Sequence, residues 1–281
     1  NNPIDPAVYE ESMLQITPDL PGARVNIFGS HIQIQGLTEG RTTYRVRVSG
    51  DIQDIFGQTL GEDELLTFRV GSAPELLTGP ERQFITLDPS ATKPVFTVYS
   101  INYNRLHVRA YAVEPSDWRA YRDYLENYWQ EQPPSPPGEK VMDETISVDA
   151  QDDVLTETAV DLTQALDGET GHLVVIVEPP ASLLPADWRE RPQPVQAWVQ
   201  VTQIGLDAFF DHSQMVVWAN ALQDGAPLSG VTVQLEPNGG QAATNSDGTT
   251  RLDLPAGGAA YLVARQGDDV AMLPNSPYYW D

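Results

Sequence analysis

The chain has no cysteine. That absence excludes disulfides, thiolate catalysis, thiolate-bound zinc and any thioester built from these residues. Basic residues are scarce too: 16 Lys and Arg stand against 40 Asp and Glu, a formal net charge of −24. The deficit runs the whole length. Residues 1–72 carry −5, residues 73–194 carry −12 and residues 195–281 carry −7. A nucleic-acid partner needs a basic footprint to neutralise phosphates, and none exists here. Anionic membrane surfaces are disfavoured for the same reason. No apolar run approaches the ~18–20 residues that span a bilayer. No Asn-x-Ser/Thr sequon occurs, so nothing points to glycosylated secretion. No secretion leader is visible and the first residue is Asn1. The expectation is a mature chain or a piece of a longer one. Gly-x-Ser-x-Gly elbows and phosphate-binding loops are also missing.

What is present reads as strands. At roughly 100–150 residues per domain, 281 residues make two or three domains, and 41% hydrophobic content gives each a core. In "SHIQIQG", Ile32 and Ile34 share a face; in "TTYRVRVSG", Tyr44, Val46 and Val48 alternate with Arg45 and Arg47. That is the period of a half-buried antiparallel strand. Leu66, Phe68 and Val70 resume it after a loop. A middle segment opens with "VFTVYSINYNRLHVRAYAV", two strands joined near "NYN". Next comes the single helical pattern, predicted over 116–131, with Trp118, Tyr121 and Leu125 inward and Ser116 or Asp117 as cap. "PPSPPG" stops it. The apolar run "HLVVIVEPP" suits a strand covered on both faces.

A third segment offers seven strands: 196–204, 214–222, 230–236, 241–244, 249–254, 260–265 and 269–273. Asp224-Gly225, Asn238-Gly239-Gly240 and Asp247-Gly248 punctuate them. The fold class is therefore mainly β: tandem antiparallel sandwiches, with one helix in the middle domain. The divisions fall at 1–72, 73–194 and 195–281.

Candidate chemistry is thin. His31, His107, His172 and His212 show no metal-ligand spacing. Asn245, Asp247 and Gly248 in "TNSDGT" resemble a calcium loop, but its first position is not acidic and its far end has no glutamate, so a structural turn is the stronger reading. The acidic runs "AQDDVLTE" and "GDDV", with Asp268 and Asp269, read as solvated loops. Trp118, Tyr121, Tyr124, Tyr128 and Trp129 would make either a sugar-stacking face or, on the stronger reading, a stripe packed on the helix's own sheet. No carboxylate pair stands out. No catalytic, cofactor-binding or metal-binding residue is assigned, and the chain is read as non-enzymatic.

Three stretches carry a family likeness. "VVWANALQDGAPLSGVTVQL", "TNSDGTTRLDLP" and "LVARQGDDVAML" follow one another as a strand with a G-x-P-x-x-G turn, a T-x-x-D-G hairpin and a V-A-R-x-G-D-D-x-A pair of strands. This order resembles the bacterial α2-macroglobulin family. "FTVYSINYNRLHVRAYAVEPSDWRAYRDYLENYW" looks like the strands and helix of an early macroglobulin-like domain. "VQAWVQVTQIGLDAFF" looks like strands that close it and open the next. The likeness covers about residues 80–281; residues 1–72 more loosely resemble a bacterial Ig-like domain.

The resemblance implies three sandwiches from a large protease trap, in which a bait region is cut and, in many members, a thioester tethers the protease. It also implies a bacterial, extracytoplasmic setting in periplasm or at the cell surface. The partners would be the remaining domains of the full-length protein, and target proteases only through the intact protein. The family's thioester cysteine and its R-P-G-E strand motif have no counterpart here, and the chain stops at "SPYYWD". A scaffold fragment without bait or thioester is the expectation. An Ig-like stalk or adhesin-type module is the alternative, and a carbohydrate-binding accessory domain set is a third.

Overall fold

The computed structural model describes residues 2–90, 93–255 and 260–275. Two compact units emerge, Asn1–Glu75 with Ala150–Leu155, and Leu76–Asp149 with Thr156–Asp281.

In the first unit the alternating stretches become β1 (Leu14–Thr17), β2 (Arg24–Phe28), β3 (His31–Gln35), β4 (Thr43–Val48) and β5 (Glu64–Arg69). Strands β2 and β3 form a hairpin whose Gly29 sits at φ 56°. The other three make a sheet in the order β1-β4-β5. Tyr44 and Val46 are buried as their period requires. Leu66 and Phe68 lie opposite Val46 and Tyr44, yet are 46% and 53% exposed. They stand on the sheet's edge strand, where the described residues provide no covering layer.

The loop Ala150–Leu155 belongs to this unit. Its acidic run is largely solvated, as its composition predicts, with Asp153 the exception. The Arg41 guanidinium pairs with Asp152 and, at 3.2 Å, with Asp153. Asp153 is also anchored by the Ala73 N–H at 2.8 Å, and its side chain is only 9% exposed.

The second unit runs β6 (Leu76–Thr78), β7 (Phe84–Leu87), β8 (Val95–Ile101), β9 (Arg105–Val113), α1 (Trp118–Asn127), β10 (Glu139–Ser147), β11 (Thr156–Asp161), β12 (Gly171–Glu178) and β13 (Val195–Val201). These form one sandwich, with sheets ordered β11-β8-β6 and β10-β9-β12-β13-β7. Strands β8 and β9, joined through Asn102 at φ 60°, lie in different sheets. The β7–β13 pair is parallel, an exception in an otherwise antiparallel fold. Strand β12 sits at the centre of its sheet, and its apolar run is buried on both faces, as "HLVVIV" anticipates.

A second sandwich follows with β14 (Ile204–Phe210), β15 (Gln214–Ala221), β16 (Thr232–Glu236), β17 (Gln241–Ala243), β18 (Thr249–Asp253), β19 (Tyr261–Gln266) and β20 (Asp269–Pro274). Its sheets are β14-β15-β18 and β17-β16-β19-β20. Val231, Val233 and Leu235 turn inward against Met215, Val217, Leu252 and Leu262. The turn residues between these strands do the work their types allow. Gly225 and Gly230 take φ 73° and 75°, and Thr244 Oγ1 donates to the Leu228 carbonyl at 2.6 Å while accepting the Val231 N–H at 3.0 Å.

Seven strands build this sandwich, but the first is Ile204–Phe210, not 196–204. Residues 195–201 instead pair along their whole length with β12. Position 194 thus lies just before a strand of the preceding sheet. "SPYYWD" lies outside the described residues.

Candidate functional site

Helix α1, the single α-helix among the described residues, organises a cluster of aromatic side chains. It is entered through a tight turn, Pro115–Asp117, where the Glu114 N–H donates to Asp117 Oδ2 at 3.0 Å. Glu114 and Asp117 therefore form a reciprocal cap, and Ser116 does not serve as one. The helix spans Trp118–Asn127, shorter than the predicted 116–131, because residues beyond Tyr128 already leave the helical path before the prolines.

Trp118, Tyr121 and Tyr124 face inward, while Leu125 and Tyr128 are half-buried. Tyr124, not Leu125, completes the inner stripe. Trp118 and Tyr121 meet Trp198 edge-on at centroid distances of 5.4 and 5.5 Å, and Phe84 meets Trp118 at 5.7 Å. Such edge-to-face geometry is the favoured aromatic arrangement. Burial pushes the Tyr121 hydroxyl pKa upward and that of Tyr124 to about 12. Tyr124 donates to Gln196 Oε1 at 2.9 Å. Trp129 alone of the five is well exposed, at 62%, and its indole N–H is spent on the Glu126 carbonyl. A sugar-stacking face is thus absent from the helix: its rings form a second core on the outer side of the large sheet.

Beyond the helix the same sheet face turns ionic. Arg109 pairs with Glu178 at 2.8 Å, and His107 Nε2 meets Asp143 at 2.8 Å. Lys140, then His107, hold the Asp143 carboxyl down to about 2. These are cross-strand neighbours on a flat, solvent-facing strip, which makes them sheet-stabilising pairs.

The four histidines do not converge. His31 lies in β3 and His212 is exposed beside Asp211. Among the described residues no three His, Asp or Glu group together to hold a metal ion. The "TNSDGT" loop is a hairpin turn: Asp247 Oδ1 accepts the Thr249 N–H at 2.9 Å and its hydroxyl at 2.8 Å. A Cβ on Gly248, at φ 77°, would sit 2.5 Å from the Ala219 carbonyl oxygen.

His172 is different. It is 5% exposed, at the start of β12. The Trp198 indole N–H donates to its Nδ1 at 3.0 Å, so the ring's own proton is on Nε2. That nitrogen lies 3.0 Å from the carbonyl of Val270, on β20 of the next sandwich. Two strand positions on, the Met272 N–H donates to Gln200 Oε1 at 2.8 Å, and Gln200 Nε2 is steadied by Thr86 Oγ1 at 2.8 Å. The Met272 side chain inserts among Trp118, Tyr121 and Trp198. The Gln203 N–H closes the seam on Asp269 Oδ2 at 2.9 Å. Asp269, read from sequence as part of a solvated run, is a structural acceptor.

Sequence reasoning missed this seam. Its only trace was parity: His172, Val174 and Ile176 share one face of β12, with Trp198 and Gln200 on the matching face of β13. Beside the seam, a cleft of about 840 Å³ between α1 and the last sandwich is lined by Arg119, Arg122, Asp123, Glu126, Pro237 and Tyr261.

A family model, the bacterial alpha-2-macroglobulin MG3 domain, matches residues 201–277, the second sandwich of this unit. Over residues 201–277 the sequence is thus that of a bacterial macroglobulin-type domain. The fold agrees over a longer stretch. Native E. coli α2-macroglobulin spanning domains MG0-NIE-MG1 is 15% identical, with a TM-score of 0.60, over 98% of this chain and 90% of that one. Salmonella α2-macroglobulin reacted with methylamine is 16% identical, with a TM-score of 0.62, over 97% of this chain and 17% of that one. Trypsin-activated E. coli α2-macroglobulin is 17% identical, with a TM-score of 0.55, over 71% of this chain and 14% of that one. The chain thus spans a small part of the full-length macroglobulins it resembles. No curated protein sequence matches it.

Proposed function

We propose that the chain is a non-enzymatic scaffold segment of a bacterial α2-macroglobulin-type protease trap, working outside the cytoplasm. The match over residues 201–277 carries this reading. The fold likeness to the MG0-NIE-MG1 segment supports it along the rest of the chain. The mechanism is mechanical. Sandwiches locked by buried contacts hold a fixed geometry, and the bait and any thioester are supplied by other parts of the intact protein. Trypsin activation of the E. coli relative suggests endopeptidases as the targets. Three tandem domains, with the second division moved past Val201, remain our reading of the organisation.

The test mixes trypsin with the 281-residue chain, and separately with the longer gene product that contains it. Cleavage of a large protein substrate and of a small peptide is then followed. A trap protects the large substrate and spares the small one. The longer protein is expected to protect, and the isolated chain is expected to leave both rates at control values. Protection by the isolated chain would put the trap inside these residues. No protection by the longer protein would remove the trap reading.

A further inference from the structure

We propose that the seam between the two sandwiches of the second unit is a proton-operated latch, closed while His172 is neutral and released when it takes up a second proton. The reasoning starts from the edge of a sheet. Strand β20 ends its sheet, in the order β17-β16-β19-β20, so every other N–H and C=O on its outer side lacks a ladder partner. Two of those groups, the Val270 carbonyl and the Met272 N–H, are taken by side chains of the neighbouring sandwich: His172 and Gln200. The Met272 side chain between them plugs the aromatic core beneath α1. The seam is thus one apolar plug flanked by buried hydrogen bonds.

Both imidazole nitrogens are committed. Nδ1 accepts from the Trp198 indole and Nε2–H donates to Val270. A proton added at Nδ1 would point at another N–H, lose that bond, and leave a charge in a buried site. The groups packed around the ring offer no compensation. Val113 lies opposite on β9, while Trp198 and Gln200 lie on β13. In the adjoining core, burial raises the Tyr121 hydroxyl pKa, so that group brings no negative charge. From β19, Arg265 adds a repelling cation. On β20, the Asp269 carboxylate accepts the Gln203 N–H. In keeping with this, desolvation, with Arg265, holds the His172 pKa down to about 4.

An undocked His172 faces water and titrates near the ordinary ~6.5. By linkage, a group whose pKa is depressed in the closed form favours that form fully above pH ~6.5, and the advantage is lost as pH falls toward ~4. The equilibrium for opening therefore rises about ten-fold per pH unit across that window.

Amide hydrogen exchange on the intact chain, corrected for the pH dependence of intrinsic exchange, tests this between pH 7.5 and 4.5. The Met272 and Gln203 amides, which bond across the seam, should lose protection about ten-fold per unit below pH ~6.5, while amides of β12 and β16 keep theirs. In His172→Gln, which cannot take up a proton, the slope should vanish. That variant also separates His172 from Asp269, whose own titration would leave the slope in place. Flat protection in the wild-type chain, parallel loss in β12 and β16, or a slope that persists in H172Q would each overturn the latch. Should H172Q fail to fold, the ring carbon signal of His172 in the wild-type chain decides. A midpoint below pH 5 supports a closed, buried ring, and one between 6 and 7 removes the proposal.

Discussion

At the scale of the residue, the aromatic stripe of α1 shows how depth decides energetics. Tyr121 is fully buried against Trp118, Tyr124 and Trp198. Leu125, one turn on, is only half-covered. Tyr121→Ala should cost about 3–5 kcal/mol, the range for large aromatic truncations in a core. Leu125→Ala should cost clearly less than the ~2–5 kcal/mol of a fully buried leucine. Urea midpoints of the two variants, compared at equal m-value, give the ranking; Leu125 costing as much as Tyr121 would mean the stripe is misassigned. Helical periodicity alone selected Trp118 and Tyr121 correctly but could not choose between Tyr124 and Leu125. Adjacent positions differ by about 100° around the axis, and the width of the covering sheet decides which of them is sealed.

At the scale of the element, the legible parts were those whose pattern is local. Strands β3, β4 and β16 follow from alternation, and the Asp247-Gly248 hairpin follows from turn chemistry. What stayed illegible depends on partners distant in sequence. Asp153 and Asp269 look solvated until Arg41, Ala73 and Gln203 arrive from elsewhere in the fold. His172 looks like any strand histidine until β20 supplies a carbonyl. Strand β13 is the clearest case. A proline-rich link precedes it, so composition suggests a boundary at 194, yet seven residues pair with β12 and four with β7. Proteolytic nicking within residues 181–194 should therefore leave the two pieces together on native gel filtration, parting only in denaturant. Pieces that separate under native conditions would show that β13 does not hold the sheet.

At the scale of the whole molecule, charge is the dominant fact. A net −24 spread over every segment repels itself, which favours solubility and opposes compaction. Raising ionic strength from 0.01 to 0.15 M shortens the screening length from ~30 to ~8 Å and should raise the melting temperature of the larger unit. The gain would be about 2–4 °C for each kcal/mol of repulsion removed, read by calorimetry; a fall in melting temperature would show that ion pairs such as Arg109–Glu178 outweigh the repulsion. The capped edge of β20 has a further meaning on this scale. An uncovered strand edge is a template for any other chain with an extended segment to offer. His172 and Gln200 occupy part of that template from within the same molecule, which leaves fewer of its groups open to another chain. Their sandwich precedes β20 in the chain and is made first during synthesis. When β20 emerges, the side chains that bond to its outer edge are already in place.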